Sequence, residues 1–235
     1  MSGWKAKRFW SAATVEPCDG GFTVRLDARP VKTPAKAALV VPSQALAQAI
    51  ADEWMAQTGP VRPDTMPFTR AANSALDKVA VQREEVISLL AAYGETDLLC
   101  YRATGPMALI DRQAAQWDPL LHWAATDLDA PLRAVAGVMH IAQPPASLAR
   151  LRARMEAQSD FELAAFYDLV AITGSLVLAL AVSHARLDGD AAWQLSRIDE
   201  TWQAEQWGRD DEAAAQEALK KAALLQAERF YRLCA

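Results

Sequence analysis

Apolar and polar positions change rhythm once along this chain. Up to residue 42 the apolar residues come in short runs separated by turn signals. Thr14 and Val15, then Phe22 to Leu26, flank Asp19-Gly20-Gly21, which predicts a β-hairpin. Asp27-Ala28-Arg29-Pro30 predicts a second turn. Leu39, Val40 and Val41 form a third apolar run, stopped by Pro42. Strands this short make a small antiparallel sheet that needs cover on one face. Ser43 then caps a helix with Leu46, Ile50 and Trp54 at i, i+4 and i+8, a stripe that can supply the cover. Thr58-Gly59-Pro60 ends that helix, and the proline-rich stretch from Pro60 to Pro67 reads as a linker.

Everything beyond it has helical spacing. Ala72, Leu76, Val79, Val86, Leu89 and Leu90 fall on one helical pattern with a break near Val81. Glu95 to Ala103 is ambiguous between a short helix and an extended segment. Asp118-Pro119 predicts the start of a new helix, with Asp as cap and Pro in the first turn. Pro145 or Ser147 opens a basic helix with Arg150, Arg152 and Arg154. Asp160 caps a long helix from Phe161 to about Ala185, apolar on most sides and therefore buried in its bundle. A final helix from Asp210 or Asp211 to about Leu233 turns Ala218, Leu225 and Phe230 inward. The expected class is α+β: a small N-terminal antiparallel β domain with one covering helix (1–62), followed by a larger all-helical C-terminal domain (63–235).

One stretch has more pattern than a core requires. Trp193 to Gly208 has no proline inside it and ends on glycine, so it reads as one helix. Leu195, Ile198 and Trp202 make a buried stripe. Trp193, Glu200 and Trp207 recur every seven residues and stack along a second side. Either the helix is sandwiched between two packed layers, or this side meets a partner protein, where indoles anchor and a carboxylate gives direction.

Charge and motifs narrow the function classes. The formal net charge is -5 and no long basic run occurs, which argues against a nucleic-acid partner. Cys18, Cys100 and Cys234 are widely spaced without a CxxC, as free thiols in a reducing compartment would be. The start, MSGWKAKRFW, is basic with no apolar core behind it, so neither a secretory nor a transit signal is expected. The most apolar run, Leu176 to Val182 with the preceding Leu169 to Ile172, is short of the ~20 residues needed to span a bilayer. No stable membrane insertion is expected, and a cytoplasmic protein is. There is no Gly-rich phosphate loop and no GxSxG elbow. His122, His140 and His184 stand alone, without metal-ligand spacing. Cys100 reads as a buried structural thiol, and the neighbours Glu84-Glu85 and Asp199-Glu200 point in different directions on a helix. Nothing here points positively to an enzyme; a site assembled from distant residues of the helical domain is the alternative.

Taken together, the motifs form a recognisable series: Arg8-Phe9-Trp10, LDARPVKTPAKAALVVP (26–42), IADEW (50–54), TMPFTRAANSALD (65–77), YGETDLLCYRA (93–103), QWDPLLHWA (116–124), GSLVLALAV (174–182) and IDETWQAEQWG (198–208). In this order the series resembles the assembly chaperones of F-type ATP synthase that act on the alpha subunit of the catalytic head, a family of mitochondria and alpha-proteobacteria. The resemblance implies the same two-part fold, no catalysis and no cofactor. It implies a protein that binds free alpha subunit and keeps it from aggregating until it joins the beta subunit; a monomer without a metal site is expected. The absence of a transit peptide fits a bacterial, cytoplasmic member, and a processed mitochondrial form would lie in the matrix. The family motif falls on Asp199, Glu200, Trp202, Gln203, Glu205, Trp207 and Gly208. Trp202 is assigned to packing. The expected partner-binding residues are therefore Trp193, Asp199, Glu200, Glu205, Trp207 and Gly208. Asp97, Tyr101 and Arg102 are a second candidate group, with an internal Asp-Arg contact as the alternative. A subunit that stays in the finished complex is a further rival.

Overall fold

The computed structural model describes residues 7–208 and 210–235; Met1 to Ala6, the start of the basic N-terminal stretch, and Arg209 lie outside the described residues. The chain folds as two units, described in turn.

The first unit is built on the expected hairpin. β1 (Ala13–Cys18) and β2 (Gly21–Leu26) pair antiparallel, with Ala13 opposite Leu26 and Cys18 opposite Gly21, leaving Asp19-Gly20 as a two-residue turn. Gly21 is required by space as well as by its φ of +147°. A Cβ there would sit 2.3 Å from the Val41 carbonyl oxygen. β3 (Arg29–Pro30) and β4 (Val40–Val41) share the other edge of β2, at its two ends. α1 (Gln44–Met55) covers the sheet. Its Leu46, Ala47, Ile50 and Ala51 are buried in one cluster with Trp10, Val24, Leu26, Val31, Leu39 and Val41. Ser43 caps α1 by accepting from the Leu46 N–H. At the other end the Arg8 guanidinium donates to the carbonyls of Met55 and Gln57, placing a cation on the helix C-terminus.

Pro60 to Pro67 is not a free linker. Gln57 accepts from the Arg62 N–H and donates to Thr65 Oγ1. Glu53, on the buried side of α1, accepts from the N–H groups of Phe68 and Thr69 and from Thr69 Oγ1, capping α2 (Pro67–Ser74). The unit therefore runs on to Arg83. It also takes in residues 159–165 and 229–235, which contribute Ala165 and Phe230 to the core. Phe230 stacks on Phe68 with centroids 6.4 Å apart, and Ser43 Oγ donates to the Leu233 carbonyl. A unit of this extent replaces the expected 1–62 because its core is closed by side chains from far along the chain.

The second unit comprises residues 84–158 and 166–228. α2 passes through a π-helical turn (Ala75–Val79), and α3 (Arg83–Ala92) begins after the expected break near Val81. The ambiguous segment 95–103 resolves into a 3-10 turn (Leu98–Cys100) and β5 (Tyr101–Arg102), which pairs parallel with β6 (Val135–Ala136). Between them α4 (Met107–Thr126) runs straight through Asp118-Pro119. The predicted new start is not used because Pro119 and Ala115, whose carbonyl the proline ring displaces, both lie on the exposed side.

α5 (Pro145–Glu156) opens on Pro145 as expected. The long helix predicted to about Ala185 is two helices, α6 (Asp160–Thr173) and α7 (Leu176–Ser183). Gly174, at φ +69°, turns the chain, and Ser175 caps α7 by accepting from the Leu178 N–H. α8 (Gly189–Ser196), α9 (Ile198–Trp207) and α10 (Asp211–Leu233) follow. On α10 the buried positions are Leu224, Ala227 and Phe230; Phe230 is inward as expected, whereas Ala218 is exposed and Leu225 half-buried, so the inward face begins later. Among the described residues no helix is long and apolar enough to cross a membrane.

Candidate functional site

The stretch from Trp193 to Gly208 is not one helix. α8 ends at Ser196, Arg197 takes φ -115° and ψ 20°, and α9 starts at Ile198. Ser196 Oγ donates to the Trp193 carbonyl. The Arg197 guanidinium lies 5.2 Å from the Trp193 ring centroid and 3.0 Å from Glu200 Oε1. Arg197 thus ties the two helices across the break. The seven-residue face of Trp193, Glu200 and Trp207 does not exist, because a break resets the helical phase. Trp193 is buried, whereas Glu200 is exposed and Trp207 is 80% exposed. Gly208, at φ +91°, ends α9.

α4 holds α9 through polar contacts. Gln113 is buried; its Nε2 donates to Asp199 Oδ1 at 2.6 Å, and its Oε1 accepts from the Ala103 N–H at 2.8 Å. Arg112 reaches Glu205 with both nitrogens, at 3.0 and 2.9 Å, a planar fork on a carboxylate. The hydrogen bond from Arg112 holds the Glu205 carboxyl below its usual range. The same guanidinium lies 4.8 Å from the centroid of the Trp202 ring, so Trp202 packs, as expected, but against a cation. Trp117 Nε1 donates to the Leu195 carbonyl and fixes the end of α8. Of α9 itself only Ile198 is buried.

Beside α9 lies a groove of about 580 Å³. It is lined on one side by Glu200, Gln203, Ala204, Glu205 and Trp207, and on the other by Asp210 and, from the start of α10, Ala213, Ala214 and Glu217. Four carboxylates mark its rim, and alanines floor it. A smaller hollow of about 270 Å³ shares Ala214 and Glu217 with it and reaches Trp193, Ala218 and Lys221. Sequence reasoning found the α9 side of this groove. It missed Arg112, Gln113 and the α10 side, because nothing in local spacing links residues that lie in three separate segments.

Asp97 and Arg102 belong elsewhere. Asp97 has no exposed surface and accepts from the Leu99 N–H, Ser175 Oγ and the Val177 N–H at 2.8 to 3.0 Å. It is a cap for α7, and burial pushes its carboxyl above the usual 3.8 against the pull of those donors. Arg102 does not pair with it. Arg102 donates to the Leu99 carbonyl, sits 2.8 Å from Asp118 Oδ1 and covers the Trp117 ring. A carboxylate whose partners are all internal has nothing to offer another protein, so the expected partner role of Asp97 gives way to a structural one. Cys100, beside it, is buried as expected, and burial pushes its thiol up to about 12.

Comparison with known proteins places this geometry. The model of the ATP12 chaperone protein family matches residues 7–125, just over half of the chain. Protein atp12, mitochondrial, of Schizosaccharomyces pombe is 25% identical over 219 residues, covering 88% of this chain and 75% of its own. The crystal structure of Atp12 from Paracoccus denitrificans is 50% identical and superposes with a TM-score of 0.96 over 99% of this chain and all of that one. A mutant of the same protein, with one aspartate replaced by lysine, gives 0.97 at 50% identity over the whole of both chains. Atu1473 of Agrobacterium tumefaciens, 40% identical, gives 0.93 over 97% of this chain and 86% of its own. With a matching family model over half its length and half-identical relatives over all of it, this chain belongs to the ATP12 family, the assembly chaperones of ATP synthase that its motif series resembles.

Proposed function

We propose that this chain binds the unassembled alpha subunit of the ATP synthase catalytic head and keeps it soluble until the beta subunit joins it. It acts as a monomer, in the bacterial cytoplasm or the mitochondrial matrix, without a cofactor. Subunits of an alternating hexamer expose large apolar interfaces before assembly, and such surfaces aggregate. A chaperone must cover one of them selectively and then let go. A mixed surface with an aromatic anchor and charges suits that better than a wholly apolar one.

The observation that carries the reading is Trp207, an indole 80% exposed at the end of the IDETWQAEQWG motif, on the same helix as the exposed Glu200. Glu205 and Asp199, both engaged by α4, hold α9 in place, and Gly208 ends it beside the indole. The test is Glu200→Lys. The Arg197–Glu200 pair is a surface one, worth about 0–1 kcal/mol, so the variant keeps its melting temperature to within a few degrees. Capture of purified alpha subunit falls about tenfold or more. Early melting would make Glu200 structural, and unchanged capture would remove it from the site; either result overturns the assignment.

A further inference from the structure

The groove between α9 and the first half of α10 assigns a chemistry to what the client inserts. We propose that it receives an amphipathic helix of the client carrying Lys or Arg along one side and apolar residues along the other; this rests on the client-binding reading above.

Three observations converge. The rim holds Glu200, Glu205, Asp210 and Glu217, and among the described lining residues there is no Lys, Arg or His. Arg197 and Arg112 hold two of these carboxylates from behind, and Asp210 also caps α10 by accepting from the N–H groups of Glu212 and Ala213. A carboxylate accepts several donors at once, so these contacts orient the rim without using it up. The lining thus offers carboxylate oxygens to a cation and no cationic side chain to an anion.

The floor is small. Ala204, Ala213 and Ala214 line the main groove, and Ala218 continues the stripe into the smaller hollow. Alanines let a second helix approach closely, as ridges enter grooves in helix packing, and the volume of about 580 Å³ holds several side chains.

The third observation is what the two walls lack. From residue 211 to 223 α10 has no buried side chain, and α9 buries only Ile198. Most helices draw their stability from packing an apolar face. This half of α10 instead reads DEAAAQEALKKAA, a run of strong helix formers tied to α8 by the pair of Lys221 with Asp190. A wall formed in advance lowers the ordering cost of binding.

The experiment uses the intact chain and purified, unassembled alpha subunit. A photo-crosslinking residue, p-benzoylphenylalanine, replaces Gln203, which lines the groove, or Gln206, which is exposed on α9 but does not. In parallel, Ala213→Trp fills the groove at an exposed position. Position 203 is expected to crosslink a client peptide that is helical in the folded subunit and carries Lys or Arg at i, i+3 or i+4. Position 206 should give at least tenfold less product, and Ala213→Trp should weaken capture tenfold or more with unchanged melting. Capture without a crosslink at 203, a crosslinked peptide that is acidic or extended, a crosslink to a second copy, or normal capture by Ala213→Trp overturns the proposal and leaves client binding standing. If the unaltered chain captures no alpha subunit, the client reading fails and this proposal falls with it.

Discussion

α7 and α9 are short helices of the same unit, and they are held by opposite means. Every residue of α7 from Leu176 to Val182 is buried, and its N-terminus is closed by Ser175 and the inaccessible Asp97. α9 buries one residue and is held by the Arg112 fork on Glu205, the Gln113 bond to Asp199 and a guanidinium on Trp202. Burial is indifferent to which ions are nearby. A polar latch is not, because dissolved salt screens the pairing of Arg112 with the exposed Glu205 carboxylate. Binding elements are drawn from the less stable end of a structure, and α9 has the physical marks of that end.

The comparison can be broken most forcefully at Asp97. Asp97→Ala leaves the Ser175 hydroxyl and the N–H groups of Leu99 and Val177 without their acceptor in a dry interior. Urea unfolding should show a loss of about 3–5 kcal/mol. A loss below about 1 kcal/mol would mean that α7 does not depend on its cap.

Acidity separates the two helices next. Burial raises the Asp97 carboxyl, so the native state keeps a proton that the unfolded chain releases. That contribution is complete below the unfolded value of about 3.8 and is lost as pH rises through the raised native value. Glu205 runs the other way. Arg112 lowers it, so its contribution is present above its usual 4.5 and is lost as pH falls through the depressed value. Urea midpoints of the natural chain and of Asp97→Asn, measured from pH 3 to 7, should show the natural chain losing stability against the variant as pH rises. A relative gain would show that the three donors outweigh burial.

The smallest effect on global stability belongs to Arg112→Ala. Hydrogen exchange should quicken roughly tenfold across the amides of α9 while those of α7 stay unchanged. Equal exchange in the variant and the natural chain would place the latch elsewhere.

Much of this architecture is written locally. The Asp19-Gly20 turn, the Ser43 cap and the α1 stripe were all legible because each depends on residues within a few positions of one another. The break at Arg197 was not. It contains neither glycine nor proline and is stabilised by a ring stack and an ion pair that only the folded chain brings together. The same holds for Pro119, whose effect depends on which side of α4 faces solvent. The α9 half of the groove was readable as a motif; its α10 half and its α4 supports were not, since charge on a helix face says nothing about its neighbour. Asp97 shows the converse error, where a residue in a memorable motif serves the fold.

The stack of Phe230 on Phe68 bears on how the polypeptide is made. Translation delivers the sheet and α1 first, yet their core is sealed by Ala165 and Phe230, which follow far along the chain. A nascent chain therefore carries Val24, Leu46, Ile50 and Phe68 with one wall of their enclosure missing until Ala165 and Phe230 have been made. This chaperone begins life as an unfinished surface of the kind it is proposed to guard.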